Sequence, residues 1–292
     1  MGKETLEQTL KRLKEGVQEI LHSEKYRDYL RAMSRFHQYS VNNCILIAMQ
    51  CPDATCVAGY TTWKSLGRYV KRGERGIRIL APCPIKKTKA NTEIEKTGTD
   101  GKAVEEDGTV TMLFRAVTVF DYAQTEGEPL PSLEPNGLIG ECECYEALMR
   151  AIESICSVPI RLADIPGDAK GYFDLKEQEI VIQSGMSPAQ TVKTALHELC
   201  HSILHGNQKI AKDRYQAETE AESVAFVISA HFGLDTAEYS FPYLAGWSSS
   251  AEGKEILESL DIIRKTADAL ISDLETAMQN TANDGIQGRS AS

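Results

Sequence analysis

Three histidines recur at four-residue intervals in residues 194–205, which read TALHELCHSILH. Residues four apart lie on one face of an α-helix, one turn above each other. His197 and His201 can therefore point at one ion, while Glu198 lies about 100° further round the helix. Glu198 can then reach a water beside that ion without being a ligand, as in the HExxH arrangement. The spacing predicts a zinc hydrolase site, with His197 and His201 as metal ligands and Glu198 as general base.

The residues around this motif predict the helix that must position it. Ser187 can cap its start, Pro188 suits the first turn, and Gly206 can end it. An apolar stripe should face the core, and it consists of Val192, Leu196, Leu199 and Ile203. An amphipathic helix with incidental histidines is the alternative, but the helix start and a downstream acidic helix favour the metal site. We interpret His205, near the helix end, as a capping residue or a partner of a ligand.

The third ligand must come from elsewhere, since catalytic zinc usually has three protein ligands and one open position. A second helix is predicted over residues 213–233, ending at Gly233. Glu218 and Glu222 are one turn apart on one flank of its apolar face, and Glu220 lies on the other flank. The spacing alone permits any of the three as the ligand.

A family resemblance narrows this choice. HELCHSILH followed by ExxAxxVA from Glu218 resembles the zincin-type peptidases of the ImmA/IrrE class and the C-terminal domain of ArdC-like antirestriction proteins. The resemblance implies one zinc ion per chain, Glu218 as third ligand, and Glu222 holding a ligand histidine in place. It also implies an edge strand before the helix, here EIVIQ at 179–183, that binds substrate backbone. Residues 239–247, YSFPYLAGW, resemble the segment that follows such domains, and we expect their aromatic rings to pack.

A basic segment lies at residues 59–80, where six cations accompany one acid, Glu74. Cations neutralise phosphates and aromatic faces stack on unpaired bases, so this composition favours single-stranded over duplex nucleic acid. The alternative is a solvated basic turn whose aromatic residues lie in the core. Asn42 and Asn43, upstream, are expected to cap or pin the local backbone. The candidate nucleic-acid contacts are Lys64, Arg68, Lys71, Arg72, Arg75, Arg78, Tyr60 and Trp63.

Residues 36–82 and the later TVFDYAQTEGEPLP resemble the N-terminal single-stranded-DNA-binding domain of ArdC-like proteins. The resemblance implies a role in antirestriction or in protecting mobile-element DNA. A rival hypothesis is a non-proteolytic DNA-masking protein whose metal site is structural or vestigial. Glu198 argues against a purely structural zinc, which needs no base. A third hypothesis, a metal-dependent nuclease, is less favoured, because the metal sites of nucleases consist mostly of clustered carboxylates that bind Mg²⁺.

Charge divides the 292 residues into two parts. Residues 1–90 hold 17 Lys and Arg against 8 Asp and Glu, while the remainder holds 15 against 34. This contrast predicts a first half suited to a polyanion. The longest apolar run, CILIAM, is far shorter than the roughly 20 residues that span a membrane. Without a secretion signal, the eight cysteines are expected to be reduced thiols in the cytoplasm.

These patterns predict an α+β protein of two domains. The first, residues 1–125, is the single-stranded-DNA-binding domain, and a proline-containing linker follows at 126–137. The zincin-like metallopeptidase domain is predicted at 138–280, and a polar, disordered tail at 281–292. Residues 86–109 are polar and charged, and we expect an exposed hairpin extension or loop there.

Overall fold

The computed structural model describes residues 5–20, 23–85, 111–130, 141–206, 213–236, 239, 241–244, 246–247 and 253–289. The helices are α1 (Leu6–Glu19), α2 (Ser23–Phe36), α3 (Val41–Gln50), α4 (Tyr60–Ser65), α5 (Glu141–Ile155), α6 (Pro188–His205), α7 (Arg214–His231) and α8 (Gly253–Arg289). The strands are β1 (Val57–Gly59), β2 (Arg68–Val70), β3 (Ile77–Ile85), β4 (Thr111–Asp121), β5 (Thr125–Gly127), β6 (Ile160–Ala163), β7 (Gly171–Asp174) and β8 (Glu179–Gln183). This mixture of helix and strand confirms the α+β class.

The chain forms two compact units whose boundaries differ from the predicted domains. One unit comprises Met1–Gln18 with Asn42–Leu130, and the other comprises Glu19–Val41 with Pro131–Ser292. The predicted first domain, 1–125, therefore includes a helix, α2, that belongs to the second unit. The first unit contains 16 Lys and Arg with 14 Asp and Glu, and the second contains 16 Lys and Arg with 28 Asp and Glu. The basic character of the first unit is therefore local rather than overall.

The first unit contains two antiparallel sheets. β4 lies between β1 and β3, and β2 pairs with β5. The predicted linker 126–137 begins inside β5, because Glu126 pairs with Tyr69 of β2. Linker residues 131–137 and the predicted hairpin extension at 86–109 lie outside the described residues.

Helix α3 holds the edge of β3 that β4 leaves free. The buried Asn43 amide donates to the Leu80 carbonyl and accepts from the Leu80 N–H, both at 2.9 Å. Gln50, two turns along α3, makes the same pair of bonds to the backbone of Arg78, again at 2.9 Å. Both backbone edges of β3 are therefore hydrogen-bonded near its start. Asn43 therefore pins backbone as expected, but the backbone of a strand 37 residues later rather than that of its own neighbours.

The second unit contains a three-stranded sheet on which α6 packs. β8 is its central strand, parallel to β6 and antiparallel to β7. The predicted hairpin ending in EIVIQ is confirmed, but the prediction that EIVIQ is an edge strand is wrong, since β6 covers its second side. β6 and β7 are the two edge strands of the described sheet. Helix α7 packs against α2, α6 and α8, and α5 packs against α6 and α8.

The C-terminal segment also departs from expectation. Helix α8 continues to Arg289, through most of the predicted disordered tail. Extending an existing helix costs little per residue, because each added residue contributes a hydrogen bond. Among the described residues, no helix is long and apolar enough to cross a membrane.

Candidate metal centre

Helix α6 begins as its sequence predicts. The Ser187 side chain accepts from the Gln190 N–H at 3.3 Å, and Pro188 occupies the first turn. The predicted apolar stripe is buried at Val192, Leu196 and Leu199. Ile203 departs from the prediction: it is 49% exposed, because the last turn of the helix lies at the surface of the unit. The histidines therefore lie where a buried helix approaches solvent.

The structure brings together one donor atom each from His197, His201 and Glu218, which we term the metal centre. The three atoms lie within 4.8 Å of one another. The Nε2 atoms of the two histidines are 3.1 Å apart, and Glu218 Oε2 lies 3.7 Å from the first and 3.6 Å from the second. Helix α7 supplies Glu218 from the turn that faces the histidines of α6.

These separations fit a divalent ion. Ligands about 2.0–2.1 Å from a tetrahedral ion lie roughly 3.3–3.4 Å from one another. The observed triangle of 3.1, 3.6 and 3.7 Å needs only small shifts to reach that size. Two imidazoles and one carboxylate are also a donor set that zinc accepts, and a fourth position remains for water or substrate.

Glu198 lies beside the metal centre and is not a member of it. Its side chain is buried, and burial raises the pKa of its carboxyl against the opposing effect of His197 and His201. The backbone of Phe173, on the edge strand β7, makes a smaller contribution that lowers this pKa. A carboxylate with a raised pKa next to a metal site is suited to accept and return a proton.

Glu222 contacts the far side of the first histidine. Its Oε2 is 3.0 Å from His197 Nδ1, at an angle outside that of a straight hydrogen bond. Burial alone would lower the pKa of His197, but Glu222, Glu198 and Glu218 outweigh burial and raise it. By contrast, the neighbouring His201 lowers the pKa of Glu218. The candidate centre therefore combines a carboxylate with an imidazole whose far side meets a second carboxylate.

His205 contacts the far side of the second histidine. Its Nδ1 is 3.1 Å from His201 Nδ1, and its Nε2 is 3.3 Å from Glu220 Oε2. Glu220 is fully buried and also accepts from Gln216 Nε2 at 3.0 Å and from the Ser259 hydroxyl. Of the three acids that the spacing permitted as ligands, Glu220 contacts His205, whereas Glu218 faces His197 and His201.

The predicted nucleic-acid contacts divide into exposed and buried residues. Lys64, Lys71, Arg72 and Arg75 are exposed, and Tyr60 is 54% exposed. Residues 71–76, which we term the basic turn, connect β2 to β3. The Gln124 side chain donates to Glu74 Oε2 at 3.0 Å and to the Arg75 carbonyl at 2.9 Å, and Lys71 Nζ donates to the Ala123 carbonyl. The basic turn is thus held in one conformation with its guanidinium groups in solvent.

Three of these candidates have structural roles instead. Arg68 is 5% exposed, donates to Thr125 and to the carbonyls of Gly127 and Glu128, and lies 4.0 Å from the Tyr122 ring. Trp63 is 1% exposed and donates from Nε1 to the Phe120 carbonyl at 2.9 Å. Neither side chain is accessible to a nucleic acid. Arg78 is half-buried and donates to the Thr118 hydroxyl and the Ala116 carbonyl across the sheet.

Two family models match the chain, one in its N-terminal part and one in its C-terminal part. A family model described as the N-terminal domain of anti-restriction factor ArdC matches residues 2–120. A second model, described as an IrrE N-terminal-like domain and belonging to a peptidase family, matches residues 156–249. The chain combines an ArdC N-terminal domain with an IrrE N-terminal-like domain. The exposed basic turn lies in the ArdC domain, and the metal centre lies in the IrrE-like domain.

The chain is also similar to individual proteins. The chain is 28% identical over 276 residues to an uncharacterized protein of Bacillus anthracis, covering 83% of this chain and 46% of that protein. It therefore spans about half the length of this curated relative. Crystal structures of an antirestriction ArdC protein from the R388 plasmid are similar in fold. The metal-free form has a TM-score of 0.54 at 19% identity, covering 82% of this chain and 86% of that one. The Mn(II)-bound form has a TM-score of 0.52 at 20% identity, covering 81% and 85%.

The IrrE-like domain also contains a small cavity beside the metal centre that the sequence did not reveal. It has a volume of about 140 Å³ and is lined by His197, Glu218, Thr219, Glu222, Phe241, Pro242 and Tyr243. Phe241 contacts Phe226 with ring centroids 5.7 Å apart, so the expected packing of these aromatics is confirmed for that ring. The cluster of aromatic residues in YSFPYLAGW was the available signal, but a sequence pattern does not show which element such a segment covers.

Proposed function

We propose that the chain is a single-stranded-DNA-binding protein with a zinc-dependent peptidase site, acting in antirestriction or in the protection of mobile-element DNA. The arrangement of His197, His201 and Glu218 around one point, with Glu198 beside it, is the observation that supports the peptidase site most strongly. An ArdC N-terminal domain in the same chain supports the DNA-binding role.

The peptidase mechanism follows from the positions of the side chains. A divalent ion held by His197, His201 and Glu218 would lower the pKa of a bound water and polarise a peptide carbonyl. Glu198 takes the proton from the attacking water, because its buried carboxylate has a raised pKa. Glu198 then returns that proton to the leaving amine. The partial burial of the two histidines limits access of bulk water to the site.

The edge strand β7 is suited to bind the substrate backbone. The Lys170 carbonyl accepts from the Gln183 N–H, so along β7 the alternate residues Gly171 and Phe173 direct their backbone groups away from β8. A Cβ built on Gly171 would be 3.3 Å from Glu198 Cγ, so this edge lies close to the proposed general base. An extended peptide added to such an edge would lie beside the metal centre.

Zinc is the ion we propose, at one per chain. Two imidazoles and a carboxylate form the catalytic zinc site of many peptidases. The same donors accept Mn²⁺, and one solved structure of similar fold is an Mn(II)-bound form of an ArdC protein. Metal analysis of the purified protein decides between the two.

The DNA-binding role is assigned to the exposed residues of the first unit. Lys64, Lys71, Arg72 and Arg75 offer positive charge, and Tyr60 offers a ring that is accessible to an unpaired base. Tyr69, which is 51% exposed on β2, is a further stacking candidate.

A second candidate function is masking of DNA without proteolysis. The same exposed cations and rings support it, since coating a strand requires only binding. Two measurements distinguish the proposals: degradation of a protein substrate, and protection of single-stranded DNA from nuclease, each with the intact chain and with Glu198→Gln. The peptidase proposal requires that degradation depend on metal and on Glu198. Degradation that is absent under all conditions, with protection intact, favours masking.

A further inference from the structure

We propose that Glu220 acts on the metal centre through His205, as the end of a hydrogen-bonded chain from His201 to His205 to Glu220. We term these three residues the relay. In this role Glu220 and His205 are positioning residues that fix which nitrogen of His201 faces the ion. The inference rests on the proposed metal-binding function, and it assigns roles to two side chains that take no part in ligation.

The direction of the hydrogen bonds follows from the position of each nitrogen. His201 directs Nε2 toward His197 and Glu218, so binding an ion through Nε2 leaves the proton on Nδ1. That Nδ1–H can donate to His205 Nδ1, 3.1 Å away, only if His205 Nδ1 is unprotonated. His205 then has its proton on Nε2, which lies 3.3 Å from the Glu220 carboxylate. Each donor in the relay thus meets an acceptor.

Because Glu220 is buried, its carboxylate requires a donor from His205, which fixes the direction of the hydrogen bonds in the relay. The carboxylate is fully buried, so each of its oxygens depends on protein donors. Oε1 accepts from Gln216 and Ser259, while Oε2 faces His205. Gln216 precedes Glu220 by one turn on α7, and Ser259 lies on α8. Two helices therefore fix this carboxylate, which in turn orients His205.

The two ligand histidines are consequently supported in different ways. His197 meets the carboxylate of Glu222 directly, at 3.0 Å. His201 meets its carboxylate through an intervening imidazole. Partners of this kind fix the tautomer of a ligand histidine and increase its basicity, and their loss weakens metal binding about 10- to 100-fold. We expect losses in this range for the relay, although neither Glu220 nor His205 touches the ion.

The first test measures zinc affinity of the full-length protein by competition with a chelating dye. Glu220→Gln, which keeps the shape of the side chain, and His205→Ala are expected to weaken zinc binding about 10- to 100-fold. The double variant should lose no more zinc affinity than the single variant that binds zinc more weakly, because either substitution breaks the same hydrogen-bonded relay. His231→Ala is the matched control: it removes a partly exposed histidine that contacts a carboxylate, Glu275 at 2.8 Å, but it touches no residue of the relay, so its affinity should stay near that of the wild type.

Some outcomes overturn the relay while leaving metal binding intact. Wild-type zinc affinity in Glu220→Gln, or losses that multiply in the double variant, would show that the residues act independently. If the unaltered chain binds no zinc, the proposed metal site fails instead, so the two failures are distinguishable. Thermal unfolding of the metal-free variants separates loss of folding from loss of affinity. If Glu220→Gln does not fold, His205→Ala keeps the proposal testable, since His205 is partly exposed.

A second readout does not depend on metal. Nitrogen-15 NMR of the metal-free protein, at mildly alkaline pH where imidazoles are neutral, reports which ring nitrogen is protonated. The relay requires His205 in the Nε2–H form in the wild type and a mixture of forms in Glu220→Gln. A wild-type His205 protonated on Nδ1 would reverse the chain and refute the proposal.

Discussion

The backbone of Gly171 lies directly against the side chain of Thr194, with no space for a Cβ between them. A Cβ on Gly171 would be 2.6 Å from Thr194 Cγ2, 3.1 Å from the Val181 carbonyl and 3.3 Å from Glu198 Cγ. Strand β7 can therefore approach α6 at the turn that presents the proposed general base.

Gly171→Ala is expected to destabilise the second unit and displace Glu198. Overpacking of this kind costs about 1–3 kcal/mol. We expect a lower midpoint of thermal unfolding, partly restored in the double variant with Thr194→Ala, which removes the nearest atom. Gly59→Ala is a suitable control, because the nearest atom to its Cβ would be 4.0 Å away. A fully stable Gly171→Ala protein would show that β7 and α6 are further apart in solution.

Glu198→Gln should separate binding from chemistry. The amide cannot accept the proton, so metal-dependent proteolysis should fall by about 10²- to 10⁴-fold. Metal content and affinity for single-stranded DNA should stay at wild-type values, since Glu198 neither ligates the ion nor belongs to the first unit. If protection of DNA in cells survives Glu198→Gln, proteolysis serves another task. Wild-type proteolysis by this variant would exclude Glu198 as the base.

The ligands and their partners should differ in how much metal binding they support. His197→Ala and His201→Ala should abolish binding of one divalent ion per chain, measured by elemental analysis. Glu218→Ala should lose most of it, whereas Glu222→Ala should weaken affinity only about 10- to 100-fold, because Glu222 contacts His197 rather than the ion. The reverse order for the two glutamates would identify Glu222 as the ligand.

Charge reversal in the basic turn should change the salt dependence of DNA binding. For single strands, each neutralised phosphate contributes about 0.7 to the slope of log affinity against log salt. Reversing Lys71, Arg72 and Arg75 together should therefore flatten the slope by about 2. The matched control reverses Lys176, Lys254 and Lys265, which are exposed cations of the second unit. Equal losses in both triple variants would indicate an effect of net charge rather than a binding surface.

Sequence periodicity predicted the elements best where the pattern was local. The cap at Ser187, the stripe of histidines and the hairpin before α6 depend on neighbours within a few residues, and the structure contains all three. Burial of Arg68 and Trp63 was not predictable in the same way. Each depends on backbone carbonyls more than 50 residues later, and composition cannot distinguish such a buried cation from one in solvent. Spacing alone likewise could not choose among Glu218, Glu220 and Glu222, because the choice depends on which side of α7 faces α6.

The assignment of α2 to the second unit has a consequence for how this protein can evolve. The match to the ArdC N-terminal domain covers residues 2–120 and so includes α2, yet α2 packs on α7, where Tyr26 and Ser223 share a buried hydrogen bond of 2.7 Å. A recombination event that exchanged one family segment for another at a single crossover would replace one side of the core that α2 forms with α7. The two segments are therefore expected to diverge as a matched pair, with compensating changes at positions 26 and 223.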